Sequence, residues 1–430
     1  MLISTEELYQ RYRQCGSVST DTRKIEPDAL FFALKGPNFN ANALAQPALD
    51  AGARYAVVDE AAYQTDERML LVTDALTALQ DLARFHRNTL HIPVLGLTGS
   101  NGKTTTKELL NAVLSQKYVT YATRGNFNNH IGVPLTVLGI GAETELAIIE
   151  MGANHTGEIR DLCAICRPTY GLITNIGKAH LEGFGGLEGV RRGKGELYDF
   201  LAQTSGVVFV NAHQTVLVDM ATERTFREKI NYLTDAITSP TLLEESPHVI
   251  FADTYGNRHE THLTGRYNFE NMATALAVGS YFGVDETLAR RAVRDYQPDN
   301  NRSQVIRQGS NTIWLDAYNA NPSSMAAALH NFAALKADRK MVILGDMYEL
   351  GEEAPAEHEA LGKLISECDF GVVLLAGELM QNALAHLPKA YYFPDKFGLH
   401  IWLQDHPSQH THVLVKGSRG MKLESVVPFL

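Results

Sequence analysis

Cysteine is scarce in this chain of 430 residues. Cys15, Cys163, Cys166 and Cys368 are the whole complement, too few and too scattered for a disulfide framework, and reduced thiols in a cytoplasmic protein are the simplest reading. Cys163 and Cys166 form one C-x-x-C, half of a zinc site, but no second Cys/His pair at suitable spacing accompanies it. Nowhere does the chain approach the ~18 consecutive apolar residues of a membrane span. Met1-Leu2-Ile3-Ser4-Thr5-Glu6-Glu7 also lacks the basic-then-apolar order of a signal peptide, so no membrane insertion is expected. Positive charge is in deficit: 38 Lys and Arg stand against 49 Asp and Glu, a net −11. That argues against nucleic acid as a partner over a wide surface. An anionic substrate would need a local basic pocket.

What remains is an ordinary globular composition, 45% hydrophobic and 20% charged. The length exceeds what one hydrophobic core serves, and three domains fit the motifs. Residues 1–88 carry short strand-like pieces, Leu30 to Leu34 and Tyr55 to Val58, and an Ala/Leu-rich helical segment from Ala75 to His86. They read as a small N-terminal α/β domain. From Ile92 onward short apolar strands alternate with amphipathic segments, the pattern of α/β units around a mainly parallel sheet. Strands are expected at Ile92 to Leu97, Leu146 to Glu150, Gly171 to Asn175 and Val207 to Asn211. A further set is expected at Trp314 to Asp316, Met341 to Leu344, Val372 to Leu375 and His412 to Val415. The central domain is drawn as 89–308 and the C-terminal, Rossmann-like α/β domain as 309–430. Polar residues collect at strand ends in both, where open parallel sheets bind ligands, so two sites facing each other across a cleft are predicted.

The sharpest motif is Gly96-Leu97-Thr98-Gly99-Ser100-Asn101-Gly102-Lys103-Thr104, between an apolar strand and a helical segment from Thr105 to Leu114. Glycines let backbone N–H groups approach phosphate oxygens, and the helix N-terminus adds partial positive charge. Gly99 to Thr105 are thus the candidate ATP cradle, with Lys103 on the β/γ-phosphates and Thr104 on Mg²⁺. Leu97 stands where the general pattern has glycine, and a tight turn with an incidental Gly-Lys-Thr is the bland alternative. Glu150, ending an apolar strand, is the natural Mg²⁺ ligand, and Gly177-Lys178-Ala179-His180 brings an imidazole to the same sheet edge. His180 could equally be an ordinary hydrogen-bonded loop histidine.

In order, Thr98 to Thr104, Glu150-Met151-Gly152-Ala153-Asn154 and Asn175 to Glu182 resemble the ATP-binding signature of the Mur ligase family. The resemblance implies that Lys194 is carbamylated and joins Glu150 and His180 at the metal; read without it, Lys194 is an exposed helix lysine. It implies that Asn271, closing Gly265-Arg266-Tyr267-Asn268-Phe269-Glu270-Asn271, reads adenine, with Tyr267 where the family has histidine; Asn268 alternatively caps the helix. It implies that Arg302 reaches the transferred phosphoryl group, the alternative being a surface arginine.

The stretch Asp316-Ala317-Tyr318-Asn319-Ala320-Asn321-Pro322 resembles the D-x-Y-N-A-N-P signature of the members that add D-alanyl-D-alanine. An acid and amides at a strand end suit the nucleotide, and the loop suits an acceptor. Asp316 is therefore placed on the nucleotide, and Tyr318, Asn319 and Asn321 on substrate. Lys416, Ser418 and Arg419 form a loop that could hold the dipeptide carboxylate, although Arg419 could simply be in a salt bridge. Asp21, Thr22 and Arg23 resemble the UDP-sugar segment, with a departure over residues 38–42. Asn128 and Asn129 are expected to face the muramoyl peptide. The implied activity is ATP-dependent amide ligation: D-alanyl-D-alanine joined to UDP-N-acetylmuramoyl-tripeptide in peptidoglycan precursor synthesis, with Lys103, Glu150, His180, Lys194 and Arg302 carrying the chemistry. A monomer is expected. The rivals are another Mur ligase, a folylpolyglutamate synthase, or a P-loop nucleotide switch that ligates nothing.

Overall fold

The computed structural model describes residues 2–234, 239–298 and 301–430. Four strands, Ser17–Ser19, Ala29–Phe32, Tyr55–Val58 and Met69–Leu71, pair in parallel in that order as the N-terminal sheet. The helix Ala75–Thr89 follows, started by Asp74, whose carboxylate accepts from the Thr77 N–H at 2.7 Å. This helix docks the first sheet on the next domain. His86 Nε2 meets the Ile140 carbonyl at 3.0 Å, and Arg87 donates to the carbonyls of Cys166 and Arg167 at 2.8 and 3.1 Å.

The central sheet runs Glu228–Tyr232, Val207–Asn211, Tyr170–Ile173, Val94–Thr98, Leu146–Glu150, Thr120–Ala122, and every pairing is parallel. The inner strands are buried along their length, as continuous β-branched and aliphatic runs require when helices cover both faces. Strand order is what builds the site. Val94–Thr98 lies between Tyr170–Ile173 and Leu146–Glu150, with Thr98 opposite Ile173 and Leu97 opposite Glu150. The phosphate loop, Glu150 and the segment after Ile173 thus leave the same sheet edge side by side.

Two features differ from the sequence reading. A three-stranded antiparallel sheet, Thr241–Glu244, Ile250–Ala252 and Arg258–Glu260, was not foreseen; its strands are three or four residues long, too short to show a period. The strand Gln304–Gln308 pairs antiparallel with Asn311–Asp316 at the edge of the C-terminal sheet, so the chain has crossed to that sheet before residue 308. The remaining C-terminal strands pair in parallel in the order Asn311–Asp316, His412–Lys416, Lys340–Gly345, Val372–Ala376, Tyr391–Phe393. No helix among the described residues is long and apolar enough to cross a membrane. Cys163 and Cys166 are core residues packed on the Met151 sulfur at 3.8 Å, and burial pushes the Cys166 thiol up to about 12.

Candidate active site between the two large sheets

A cleft of about 940 Å³ runs from the phosphate loop to the strand ends of the C-terminal sheet. The loop is held in shape by its neighbours. Gly99 has φ +146, and a Cβ there would stand 2.0 Å from the Thr174 hydroxyl oxygen. Gly102 caps the helix Lys103–Leu114 at φ +78, pressed against the Asn271 amide. Only glycine meets both demands. Thr174 donates its hydroxyl to the Asn101 carbonyl at 2.6 Å, Asn175 Oδ1 accepts from the Asn101 N–H at 3.0 Å, and Ser100 Oγ donates to the Gly177 carbonyl at 3.0 Å. Lys103 turns back to donate to the carbonyls of Gly99 and Ser100 at 2.6 and 3.2 Å. Desolvation, helped by the positive charge of Arg302 and opposed by Glu150, draws its pKa down to about 8.

Glu150 is buried. Its Oε1 accepts from Asn128 Nδ2 at 2.8 Å and from Thr104 Oγ1 at 3.2 Å, while Oε2 is buried with no partner. An unsatisfied carboxylate oxygen costs free energy unless something positive meets it. Beside a threonine hydroxyl at the start of the phosphate-loop helix, this donor set suits a hard cation such as Mg²⁺. Among the described residues no three His, Cys, Asp or Glu side chains gather as a ready cage. His180 instead brings Nδ1 to 2.5 Å from Glu349 Oε2 of the C-terminal domain, and the imidazole holds that carboxyl below its ordinary range.

Lys194 is fully buried on the helix Leu187–Gln203, contrary to its reading as a surface lysine. Its ammonium donates to the Ala153 carbonyl at 3.0 Å and lies 4.9 Å from the Phe184 ring centre. Burial first, then the charge of Lys103, push its pKa well below that of an ordinary lysine.

On the opposite wall, the Arg302 guanidinium stacks 3.6 Å from the centre of the Tyr318 ring, its Nε buried and unpartnered, so it is no free surface arginine. Asp316 is ion-paired with the buried Lys416 and accepts from the Ser303 N–H at 3.2 Å; Ser303 Oγ meets the Tyr267 hydroxyl at 3.0 Å. Tyr267, in the place of a histidine, thus buttresses the junction that carries Arg302. Asn321 caps the helix Pro322–Ala334 and reaches across to Asn101 Oδ1 at 2.7 Å, tying the acceptor loop to the phosphate loop.

Lys103, Glu150, Asn128, Asn129, His180, Asn271, Arg302, Asp316, Tyr318, Asn319, Asn321 and Lys416 all line this one cleft. Others of the predicted set do not. Asp21, capping the short turn Thr22–Lys24 after the first strand, is half-buried and gripped by the exposed Arg23 at 2.8 Å, with Thr22 between them. Ser418 is buried, its Oγ accepting from the Tyr348 N–H at 2.9 Å, and Arg419 is drawn to Glu424 at 3.2 Å with its guanidinium 5.4 Å from the centre of the Tyr318 ring, so of the basic loop Lys416 lines the cleft and Arg419 stands at its margin. Asn268 caps nothing: it lies inside the helix Arg266–Tyr281 and accepts from Asn271 Nδ2 at 3.0 Å. The Asn271 carbonyl accepts from Thr106, which leaves one amide hydrogen for a ligand. The sequence reading missed Asn175 and the Asn211, Gln214 and Glu270 cluster, where both amides donate to Glu270 Oε2 at 3.0 and 2.8 Å. Asn211 ends a strand, and the strand-end rule was the signal that could have found it.

Residues 97–279 match the family model described as Mur ligase middle domain, and residues 301–419 match that described as Mur ligase, glutamate ligase domain. The chain is 35% identical over 429 residues to the UDP-N-acetylmuramoyl-tripeptide–D-alanyl-D-alanine ligase of Bacillus subtilis, covering 95% of this chain and 92% of that one. It is 34% identical to the Escherichia coli enzyme of the same name, covering 96% and 92%. Among solved structures, MurF from Acinetobacter baumannii superposes with a TM-score of 0.84 at 29% identity, covering 98% of this chain and 97% of that one. MurF from Thermotoga maritima in complex with ADP shares the fold, with a TM-score of 0.82 at 24% identity over 97% of each chain.

Proposed function

This chain belongs to the Mur ligase family, and from that premise we propose how its cleft works. The reaction is the ATP-dependent joining of D-alanyl-D-alanine to UDP-N-acetylmuramoyl-tripeptide, a step of peptidoglycan precursor synthesis that releases ADP and phosphate. The observation that carries the reading is convergence: Lys103, Glu150 and Arg302, from three separate stretches of sequence, line one cleft with the acceptor loop Tyr318 to Asn321 on its far wall.

The terminal carboxylate of the tripeptide attacks the γ-phosphorus of ATP, the bond to the β–γ bridging oxygen breaks, and ADP leaves an acyl phosphate. The neutral amine of D-alanyl-D-alanine then attacks the acyl carbon. Phosphate departs with the C–O electron pair, the nitrogen loses a proton, and an amide remains. Phosphoryl transfer asks mainly for positioning and charge. The loop N–H groups and Lys103 hold the phosphates, and Arg302, kept in place by Tyr318, meets the charge that develops on the transferred group. Asn128 and Asn129 face the peptide. Asn271 and Asp316 serve the nucleotide.

Glu150 and Thr104, with His180 and a carbamylated Lys194, are the residues that would hold Mg²⁺, which supplies charge neutralisation at the phosphate oxygens. A lysine kept neutral by burial is the form that adds CO₂, forming an N–C bond and losing one proton; the depressed pKa of Lys194 supports that modification. Asp21, Thr22 and Arg23 are placed on the UDP-sugar, at the domain spanning 1–88. We assign the activity to a monomer in the cytoplasm, one chain lining the whole cleft.

ADP release followed across a panel of acceptors tests the reading. It should require both a UDP-muramoyl tripeptide and D-alanyl-D-alanine; release with single amino acids or glutamate, or tight nucleotide binding without any acceptor dependence, would overturn it. A free α-amine has a pKa of about 7.7–8.0, so turnover at saturating ATP should rise toward mildly alkaline pH.

A further inference from the structure

Part of the cleft lies where the strand Val207–Asn211 stops and the helix Arg266–Tyr281 runs past its end, and Asn211, Gln214, Glu270 and Thr274 line it there beside Asn271. None of the steps above uses this corner. Its geometry is fixed from behind. Asn211 Oδ1 accepts from the His213 N–H at 2.9 Å, so the amide nitrogen is the atom left to meet Glu270, and together with Gln214 Nε2 it converges on Oε2 at 3.0 and 2.8 Å. The other oxygen of the half-buried Glu270, Oε1, has no hydrogen-bond partner among the described residues, and no lysine or arginine there pairs with this carboxylate.

A carboxylate only accepts, so the cleft presents here a held, negatively charged oxygen that calls for a donor. Asn271, the next residue, presents the reverse. Its carbonyl accepts from Thr106 at 3.0 Å and one amide hydrogen goes to Asn268, which leaves the other for a ligand, and the same amide abuts Gly102 of the phosphate loop. One acceptor and one donor thus flank the loop side by side. Purines differ in how they meet such a pair: beside the N7 acceptor, adenine carries an N6 amine that donates, whereas guanine carries an O6 that accepts. Glu270 suits the first and repels the second. We propose that Glu270, held by Asn211 and Gln214, selects adenine over 6-oxopurines by accepting from the N6 amine, while Asn271 donates to a ring nitrogen of the same base. The assignment rests on the cleft being the ATP site. It adds what the phosphate loop lacks, since the triphosphate is the same on every nucleoside.

The experiment is a calorimetric titration of the full chain, with Mg²⁺ present, by ADP, 2′-deoxy-ADP, GDP and IDP, the last carrying an oxygen where ADP has the amine. ADP and 2′-deoxy-ADP are expected to bind alike, and IDP and GDP about 10–100-fold more weakly. Glu270→Gln can keep both amides on its carbonyl oxygen and turn its own NH₂ to the cleft, so it should narrow the preference for ADP over IDP about tenfold or reverse it. Glu270→Ala should weaken ADP and leave IDP no weaker than in the parent. A side chain that only holds the fold would move all four ligands together. The proposal is overturned if the parent binds ADP and IDP equally, if 2′-deoxy-ADP is the ligand that is lost, or if both variants keep the parent's ratio of ADP to IDP affinity. Each of those results leaves the ligase reading standing, whereas failure of every nucleotide to bind removes that reading and the proposal together.

Discussion

Glu150 ends a buried strand of the central sheet with one carboxylate oxygen unpartnered, whereas Asp316, ending a strand of the C-terminal sheet, is paired with Lys416 and bonded to Ser303. The same contrast runs through the two walls. On the central side Lys103 and Lys194 are cations drawn out of water far enough to lose part of their affinity for the proton. On the C-terminal side Ser418 and Arg419 find partners in Tyr348 and Glu424. Buried charge without a match costs stability, so the central wall is incomplete until a ligand meets it. The C-terminal wall has one such gap, the buried Nε of Arg302, and otherwise contributes by position, through Asn321 on Asn101 and Ser323 Oγ accepting the Lys178 N–H at 2.9 Å.

The largest effect should come from the residue that joins the two walls. Arg302→Ala is expected to lower kcat on the order of 10³-fold, as for other arginines that meet a transferred phosphoryl group, with a much smaller change in ATP affinity. Steady-state kinetics decides it, and an unaltered kcat removes Arg302 from the chemistry.

Next, Glu150→Gln and Asp316→Asn should fail in opposite ways. The first should cut turnover by roughly 10²–10³ while thermal stability holds or rises, since it removes a buried unmatched charge. The second leaves Lys416 buried without its counter-ion and should cost about 3 kcal/mol in urea unfolding. Equal losses of stability in both variants would erase the distinction between the walls.

Lys194→Ala should lower turnover about 10–100-fold, with partial recovery on adding short carboxylic acids that take the place of a carbamate. Indifference of the parent to bicarbonate, together with no recovery in the variant, would leave Lys194 a packing residue.

A subtler test is pH. The folded pKa of Lys103 is about 8 against an ordinary 10.5, so its ammonium is charged below pH 8 and loses its proton above. Affinity for ATP should fall as pH climbs through 8, and Lys103→Arg should flatten that profile. The same shift means the unfolded chain binds more protons between these two values, so the burden of Lys103 on stability eases as pH rises across that window. An ATP affinity that strengthens above pH 8 would reverse the sign.

The smallest effect belongs to an ion pair between the two domains away from the cleft. Lys178 and the half-buried Glu357 are ion-paired between the central and C-terminal domains, outside the cleft lining, and Glu357→Gln should change turnover about twofold or less, in keeping with partly exposed pairs worth about 0–1 kcal/mol. A loss beyond tenfold would make that contact part of the closing mechanism.

How much of this was legible in the chain depends on range. The phosphate loop and the strand ending in Glu150 are local patterns: an apolar run, and glycines at set spacing. Each could be read within ten residues because local geometry decides it. The burial of Lys194, the support of Asn101 by Asn175 and the stacking of Arg302 on Tyr318 could not, because they depend on which strand lies beside which and on how two sheets approach. Ser418 and Arg419 lie between the two cases: packing buries the Ser418 hydroxyl against the Tyr348 N–H, while Arg419, paired with Glu424, keeps its guanidinium 5.4 Å from the centre of the Tyr318 ring at the margin of the cleft. Sequence alone determined the elements and the chemical vocabulary at their ends, since backbone preference and side-chain period act over one or two turns. Only the tertiary structure decided which of those groups share a cavity and which of them are left unmatched in it, because strand order and desolvation are properties of contacts between residues far apart in the chain.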